Sequence, residues 1–149
     1  MSFLPTGHDM EDGLSDDNRQ RYARHLVLPS VGEEGQIKLL KSSILVVGAG
    51  GLGSPAMMYL AAAGVGRIGI IDDDFVEESN LQRQIIHSTS SIGDAKAKSA
   101  AERICLLNPE IDVIPMVDRL TESNALSVIK DYDIVIDGTD NFASRYLIG

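Results

Sequence analysis

The hydrophobic positions change their period part-way along the chain. Within RQRYARHLVL, Tyr22 and Leu26 lie four apart with Arg19 near the same face, which predicts an amphipathic helix beginning at Asp17. Pro29 ends it. A second short helix is predicted over EEGQIKLLKSS, turning Ile37, Leu40 and the stem of Lys41 inward. SILVVG then breaks the helical period: it is continuously apolar, rich in β-branched residues, and runs straight into glycines. Such a run predicts a strand buried on both faces of a parallel sheet. RIGIID (67–72), DVIPMV (112–117) and DIVID (133–137) read the same way. Helical patterns over 54–63, 95–107 and 123–131 fill the intervals.

Strands alternating with helices imply βαβ units and an α/β fold with a parallel sheet. Right-handed crossovers then build one half of a Rossmann-like, doubly wound fold, here preceded by two N-terminal helices. Residues 73–94 form a connection far longer than the ~2–6 residues usual in such units, and long connections of this kind tend to be functional. The last residues, DGTDNFASRYLIG, start a crossover helix with no strand after it. The expected organisation is a flexible acidic tail over 1–16 and a nucleotide-binding domain over 17–149, incomplete at its C-terminus.

Composition narrows the function. A net charge of -9 argues against nucleic acid, whose phosphates need clustered Lys and Arg. The single cysteine, Cys105, excludes a disulfide framework within this chain and reads as an inert small hydrophobe. No apolar run reaches the ~18–20 residues of a membrane span. MSFLPTGHDMEDGLSDDN carries acids and no Lys or Arg, the wrong charge for a targeting peptide, so a cytoplasmic address is expected.

The candidate chemistry starts at GAGGLG, which follows a strand and opens a helix. In that setting Gly48 permits the tight turn, Gly50 lets backbone approach a phosphate, and Gly53 allows close helix–sheet packing; Gly51 widens access. The helix N-terminus adds free N–H groups and partial positive charge. Asp72, at the end of the second strand, is placed to accept from ribose hydroxyls, and its neighbour Asp73 is expected on the opposite side of the strand. A strand–helix turn without ligand and a solvated acid are the plain alternatives. Up to this point a nicotinamide cofactor fits as well as ATP.

The long connection separates them. Asn80, Arg83 and Gln84 offer donors, and Arg83 can bind phosphate oxygens bidentately. With Asp94 as expected N-cap, Lys96 falls in a first helical turn, where the macrodipole disfavours a cation. Residues that break a local rule often serve a ligand. Asp140 and Asn141 lie beyond the fourth strand, at the sheet edge where ligands bind; Asp140 suits Mg²⁺, and capping is the alternative for both. His25 and His87 show no partner pattern for a metal or triad and are expected to be structural or solvent-facing; Met57 and Met58 belong to an apolar helix.

Taken together, RYARHLVLP, GAGGLGSPAMMYLAAAGVGRIGIID, ESNLQRQIIH, GDAKAKSAAERICLLNP and DGTDNFASRYLI closely resemble the ubiquitin-activating-enzyme-like adenylyltransferases. The likeness runs from about Asp17 to the last residue and is nearest to members serving molybdopterin and thiamine synthesis, including eukaryotic sulphur-carrier activators that support tRNA thiolation. The resemblance implies a homodimer that uses ATP and Mg²⁺ to adenylylate the C-terminal glycine of a ubiquitin-like sulphur-carrier protein. It also implies roles for individual residues. Gly51 and its neighbours line the nucleotide, Asp72 holds ribose, and Ser79, Asn80, Leu81, Gln82, Arg83 and Lys96 contact phosphates. Asp140 binds the metal, and Arg24 reaches the ATP of the partner subunit. Carrier-binding surface, paired CxxC zinc motifs and a reactive cysteine are implied in sequence following residue 149. A non-catalytic nucleotide-binding and dimerisation module, and an NAD-dependent oxidoreductase, are the competing readings.

Overall fold

The computed structural model describes residues 13–140 and 148–149. Four parallel strands form its centre: β1 (Ser43–Val47), β2 (Arg67–Ile71), β3 (Asp112–Met116) and β4 (Ile134–Asp137), in the order β3-β2-β1-β4. The chain builds outward from β1 through β2 to β3, then crosses back to lay β4 on the other side of β1. That reversal creates a crevice above the carboxyl ends of β1 and β4, where open α/β sheets bind ligands.

The unbroken apolar run of β1 has a simple cause, since both faces of the strand are covered. Ile44 and Val46 face a core shared with Met57, Ala61, Ile68, Ile70, Ala97, Ala100 and Ile104. Leu45 and Val47 face a smaller core with Ile71, Leu120 and Ala125. Helices α4 (Gly53–Ala63) and α5 (Lys96–Leu107) cover the first face; α6 (Ala125–Ile129) lies over the second. Pro115 is tolerated because β3 pairs only with β2 among the described residues, so no ladder donor is lost on its free edge.

The N-terminal region departs from expectation. In place of one helix there are two, α1 (Asp16–Arg21) and α2 (Ala23–Leu26), parted at Tyr22 with φ -102 and ψ 18. Tyr22 is 2% exposed and its hydroxyl accepts a hydrogen bond from Asn108 Nδ2 at 2.8 Å. Tertiary anchoring of that ring breaks the helix. Leu14 is buried and the Ser15 hydroxyl caps α1, so the last three residues of the expected tail, Leu14 to Asp16, belong to the packed start of α1. Residues 1–12 of that tail lie outside the described residues. In α3 (Gly32–Lys41) the buried residue is Gln36, not Ile37 or Leu40; it hydrogen-bonds His25 Nδ1 at 2.8 Å and the Ala63 carbonyl at 3.0 Å. A polar residue goes inward here because both ends of its amide find partners.

Candidate functional site

The turn after β1 shows why the glycine spacing matters. Gly48 adopts φ 95, a left-handed conformation that side chains resist. A Cβ on Gly53 would collide with the Gly48 carbonyl oxygen, so only glycine lets α4 start this close to the strand. The loop is also held from outside. Asp72 Oδ2 accepts the Ala49 N–H at 2.7 Å, while Oδ1 accepts the Asp74 N–H at 2.7 Å. Each oxygen retains a further lone pair for a ligand hydroxyl.

β2 ends at Ile71, so the alternation expected to part Asp72 from Asp73 does not extend to them. The backbone turns at Asp72, and Asp72, Asp73 and Asp74 all line the crevice, with carboxylate oxygens within 4.8 Å of one another. Asp73 pairs with Arg119 at 3.2 Å and Asp72 accepts from two backbone amides, whereas the carboxylate of Asp74, exposed to solvent, has among the described residues only a long contact with Lys96 at 3.6 Å.

The long connection is well structured. Two 3-10 turns, Glu78–Asn80 and Thr89–Ser91, are each closed by a capping box. Phe75 bridges to Ala95 in antiparallel fashion, and the Lys96 N–H donates to the Asp74 carbonyl at 2.9 Å. That return of the chain supplies the acceptor a cap would have given. The N-cap of α5 is therefore Ala95, with no side-chain cap, and not the expected Asp94.

Lys96 is the first residue of α5, and its side chain is 9% exposed. Among the described residues its salt-bridge partner is the Asp74 carboxylate at 3.6 Å, beyond hydrogen-bond range. A buried ammonium at the positive end of a helix, without a close acceptor, is costly unless an anion joins it. Arg83 reaches the same crevice from the connection, steadied by the Ser79 carbonyl at 3.2 Å, its stem lying over Gly51. Asn80 Oδ1 accepts the Glu77 N–H at 2.9 Å, leaving the amide nitrogen as donor. Gln84 Oε1 is buried on the crevice wall and has no hydrogen-bond partner among the described residues.

These groups surround one cavity of about 640 Å³, with Gly48, Gly50 and Gly51 on one wall, Arg83 and Lys96 on another, and Asp140 at the rim. Its lining holds five carboxylates against three cations. Such a cavity suits a polyanion that brings its own cation. Asp140, an exposed carboxylate, offers the hard oxygen that Mg²⁺ takes, and an ion retaining several waters needs only one or two protein ligands. The donor set fits the metal.

A glycine turn, a buried lysine and an arginine meet at the topological switch point of the sheet, and residues 22–149 match the ThiF family. The chain belongs to the ThiF family. It is 55% identical over 147 residues to "Adenylyltransferase and sulfurtransferase MOCS3" of Arabidopsis thaliana, covering 99% of this chain and 32% of that protein. It is 55% identical over 128 residues to "Probable molybdopterin-synthase adenylyltransferase" of Porphyra purpurea, covering 86% of this chain and 34% of that protein. The chain thus spans about a third of the length of these curated relatives. Among solved structures, E. coli tRNA N6-threonylcarbamoyladenosine dehydratase TcdA in complex with ATP superposes with a TM-score of 0.80 at 39% identity, covering 85% of this chain and 52% of that one.

Of the residues expected to meet the nucleotide, Gly48, Gly50, Gly51, Asp72, Asn80, Arg83, Lys96 and Asp140 share the cavity. Ser79, Leu81, Gln82 and Gly53 are not among its lining; Ser79 acts on Arg83 through its carbonyl and Gly53 through packing. Arg24 is exposed on α2, away from the cavity, and Asn141 lies outside the described residues. Asp118, Arg119 and Leu120 complete the wall beyond β3 and were not singled out from sequence. Their position at the carboxyl edge was the available signal. Cys105 is exposed as a residue, and partial desolvation of its thiol, followed by the nearby Asp112 and Glu102, pushes the pKa up, away from reactive thiolate. No helix among the described residues is long and apolar enough to cross a membrane.

Proposed function

We propose that this chain carries the ATP site of an enzyme that adenylylates the C-terminal glycine carboxylate of a ubiquitin-like sulphur-carrier protein. The observation that carries the reading is the convergence of Arg83 and the buried Lys96 on the cavity bounded by the glycine turn. A nicotinamide dinucleotide, whose diphosphate backbone amides can hold, has no use for both cations. The names of the relatives, adenylyltransferases acting with sulphur transfer or on molybdopterin synthase, support the same chemistry. Molybdopterin synthesis, tRNA thiolation or thiamine synthesis is the pathway this implies.

In the reaction, a carrier carboxylate oxygen attacks the α-phosphorus of ATP, the α–β bridging bond breaks, and pyrophosphate leaves with an acyl-adenylate formed. Attacker and target are both anions, so the protein's task is neutralisation and alignment. Lys96 and Arg83 hold phosphate oxygens, drawing Lys96 from its long contact with Asp74. Asp72 orients ribose while keeping the glycine turn in place. Asp140 would hold Mg²⁺, which supplies further charge neutralisation on the phosphates. The subunits act as a homodimer in which Arg24 completes the partner's site.

ATP–pyrophosphate exchange by the full-length protein is the test. Exchange is expected only when a carrier ending in glycine is present. Exchange indifferent to the carrier, or none with any carrier, overturns the reading.

A further inference from the structure

His87 closes the long connection in the interior, 7% exposed, with both ring nitrogens engaged. Nε2 lies 2.9 Å from the Ala49 carbonyl oxygen, which can only accept, so Nε2 carries the hydrogen. Nδ1, 2.8 Å from Ser99 Oγ, is then the acceptor of the serine hydroxyl. Ser99 is buried on α5, three residues after Lys96 and on the same helix face.

Ala49 sits between Gly48 and Gly50, and both its backbone polar groups are held. Its N–H donates to Asp72 and its carbonyl accepts from His87. A trans peptide sets the next N–H antiparallel to that carbonyl. With the Ala49 oxygen turned inward to the imidazole, the Gly50 N–H points the other way, on the side where Gly50 lines the cavity. Rotation of this one peptide plane would reverse the two, presenting a carbonyl oxygen to an incoming phosphate.

We propose that His87 is a positioning residue that locks the Ala49–Gly50 peptide with its N–H toward the nucleotide phosphates, and through Ser99 ties that orientation to the helix bearing Lys96. The inference rests on the nucleotide reading of the cavity. His87 touches no substrate; it acts through one backbone amide.

The test compares binding of Mg·ATP and of adenosine to the full-length wild type and to His87→Met, His87→Gln and Ser99→Ala. His87→Met keeps bulk without the donor. It is expected to weaken Mg·ATP roughly 10- to 100-fold, the range for one hydrogen bond to a charged group, while adenosine stays within about 2-fold. His87→Gln, whose amide nitrogen can reach the carbonyl, is expected to recover most of the loss. Nitrogen-15 shifts of the wild-type ring should report hydrogen on Nε2, a readout that stands even where a variant fails to fold. Equal losses for both ligands, unchanged Mg·ATP binding in His87→Met, or hydrogen on Nδ1 overturns the proposal. A wild type that binds no Mg·ATP overturns the nucleotide reading instead, whatever the ring's tautomer.

Discussion

At the scale of single residues, the site is a balance of charges set at fixed positions. Lys96 and Arg83 face a cavity richer in carboxylates than in cations, so on the proposed reading removal of either cation would leave a bound triphosphate poorly matched. Lys96→Ala and Arg83→Ala are each expected to slow ATP–pyrophosphate exchange by roughly 10²–10³-fold, the loss typical of one transition-state donor, with the far-ultraviolet dichroism unchanged. Near-normal exchange in either variant would remove that residue from the mechanism. His87 adds a pH signature. Burial, aided by Lys96 and opposed by the Ala49 carbonyl and Asp72, pushes its pKa below the ordinary 6.5. The unfolded chain therefore takes up this proton first, and stability falls as pH drops through about 6.5 toward the folded value, by at most ~1.4 kcal/mol per pH unit. Urea melts of wild type and His87→Gln across that window should converge as pH falls; parallel curves would deny the burial effect. Lys96 was legible in the sequence because it broke the macrodipole rule. His87 was not, because both its partners come from distant segments and no local pattern points to them.

At the scale of elements, the strand–turn–helix unit of β1 and α4 was readable because glycine spacing states a steric requirement directly. The collision facing a Gly53 side chain involves backbone, which cannot swing aside. Gly53→Ala is expected to cost about 1–3 kcal/mol by overpacking, seen as a lower urea midpoint with an unchanged slope, and to weaken ATP binding by shifting the turn. A midpoint equal to wild type would show that the helix can retreat without loss. The break between α1 and α2 was hidden for the opposite reason. No glycine or proline marks it; a hydrogen bond from Asn108, which also donates to the Ala61 carbonyl at 2.9 Å, fixes Tyr22 and bends the chain. The folding of residues 73–94 was equally hidden. Its 3-10 turns rest on side-chain capping by Glu77, Asn80, Ser88 and Ser91, a local chemistry that hydrophobic period does not register.

At the scale of the whole molecule, the parallel α/β architecture was legible because apolar runs alternating with helical patterns leave few topologies, whereas the strand order and the far wall of the cavity, Asp118 to Leu120, depended on how the strands sit beside one another. The proposed homodimer makes its own prediction. If Arg24 serves the partner's site, mixing full-length Arg24→Ala with Lys96→Ala creates mixed dimers holding one intact site, and exchange should rise to about a quarter of wild type at equal amounts. No recovery after subunit exchange would place Arg24 outside the reaction. The central claim, that this crevice is built for a metal-bound triphosphate, is tested most directly by calorimetric titration of the protein with Mg·ATP and with NAD under identical conditions. The expected result is saturable Mg·ATP binding that is lost when Lys96 and Arg83 are both alanine, with no comparable NAD binding. Equal or tighter binding of NAD, or Mg·ATP binding indifferent to the two cations, would contradict it.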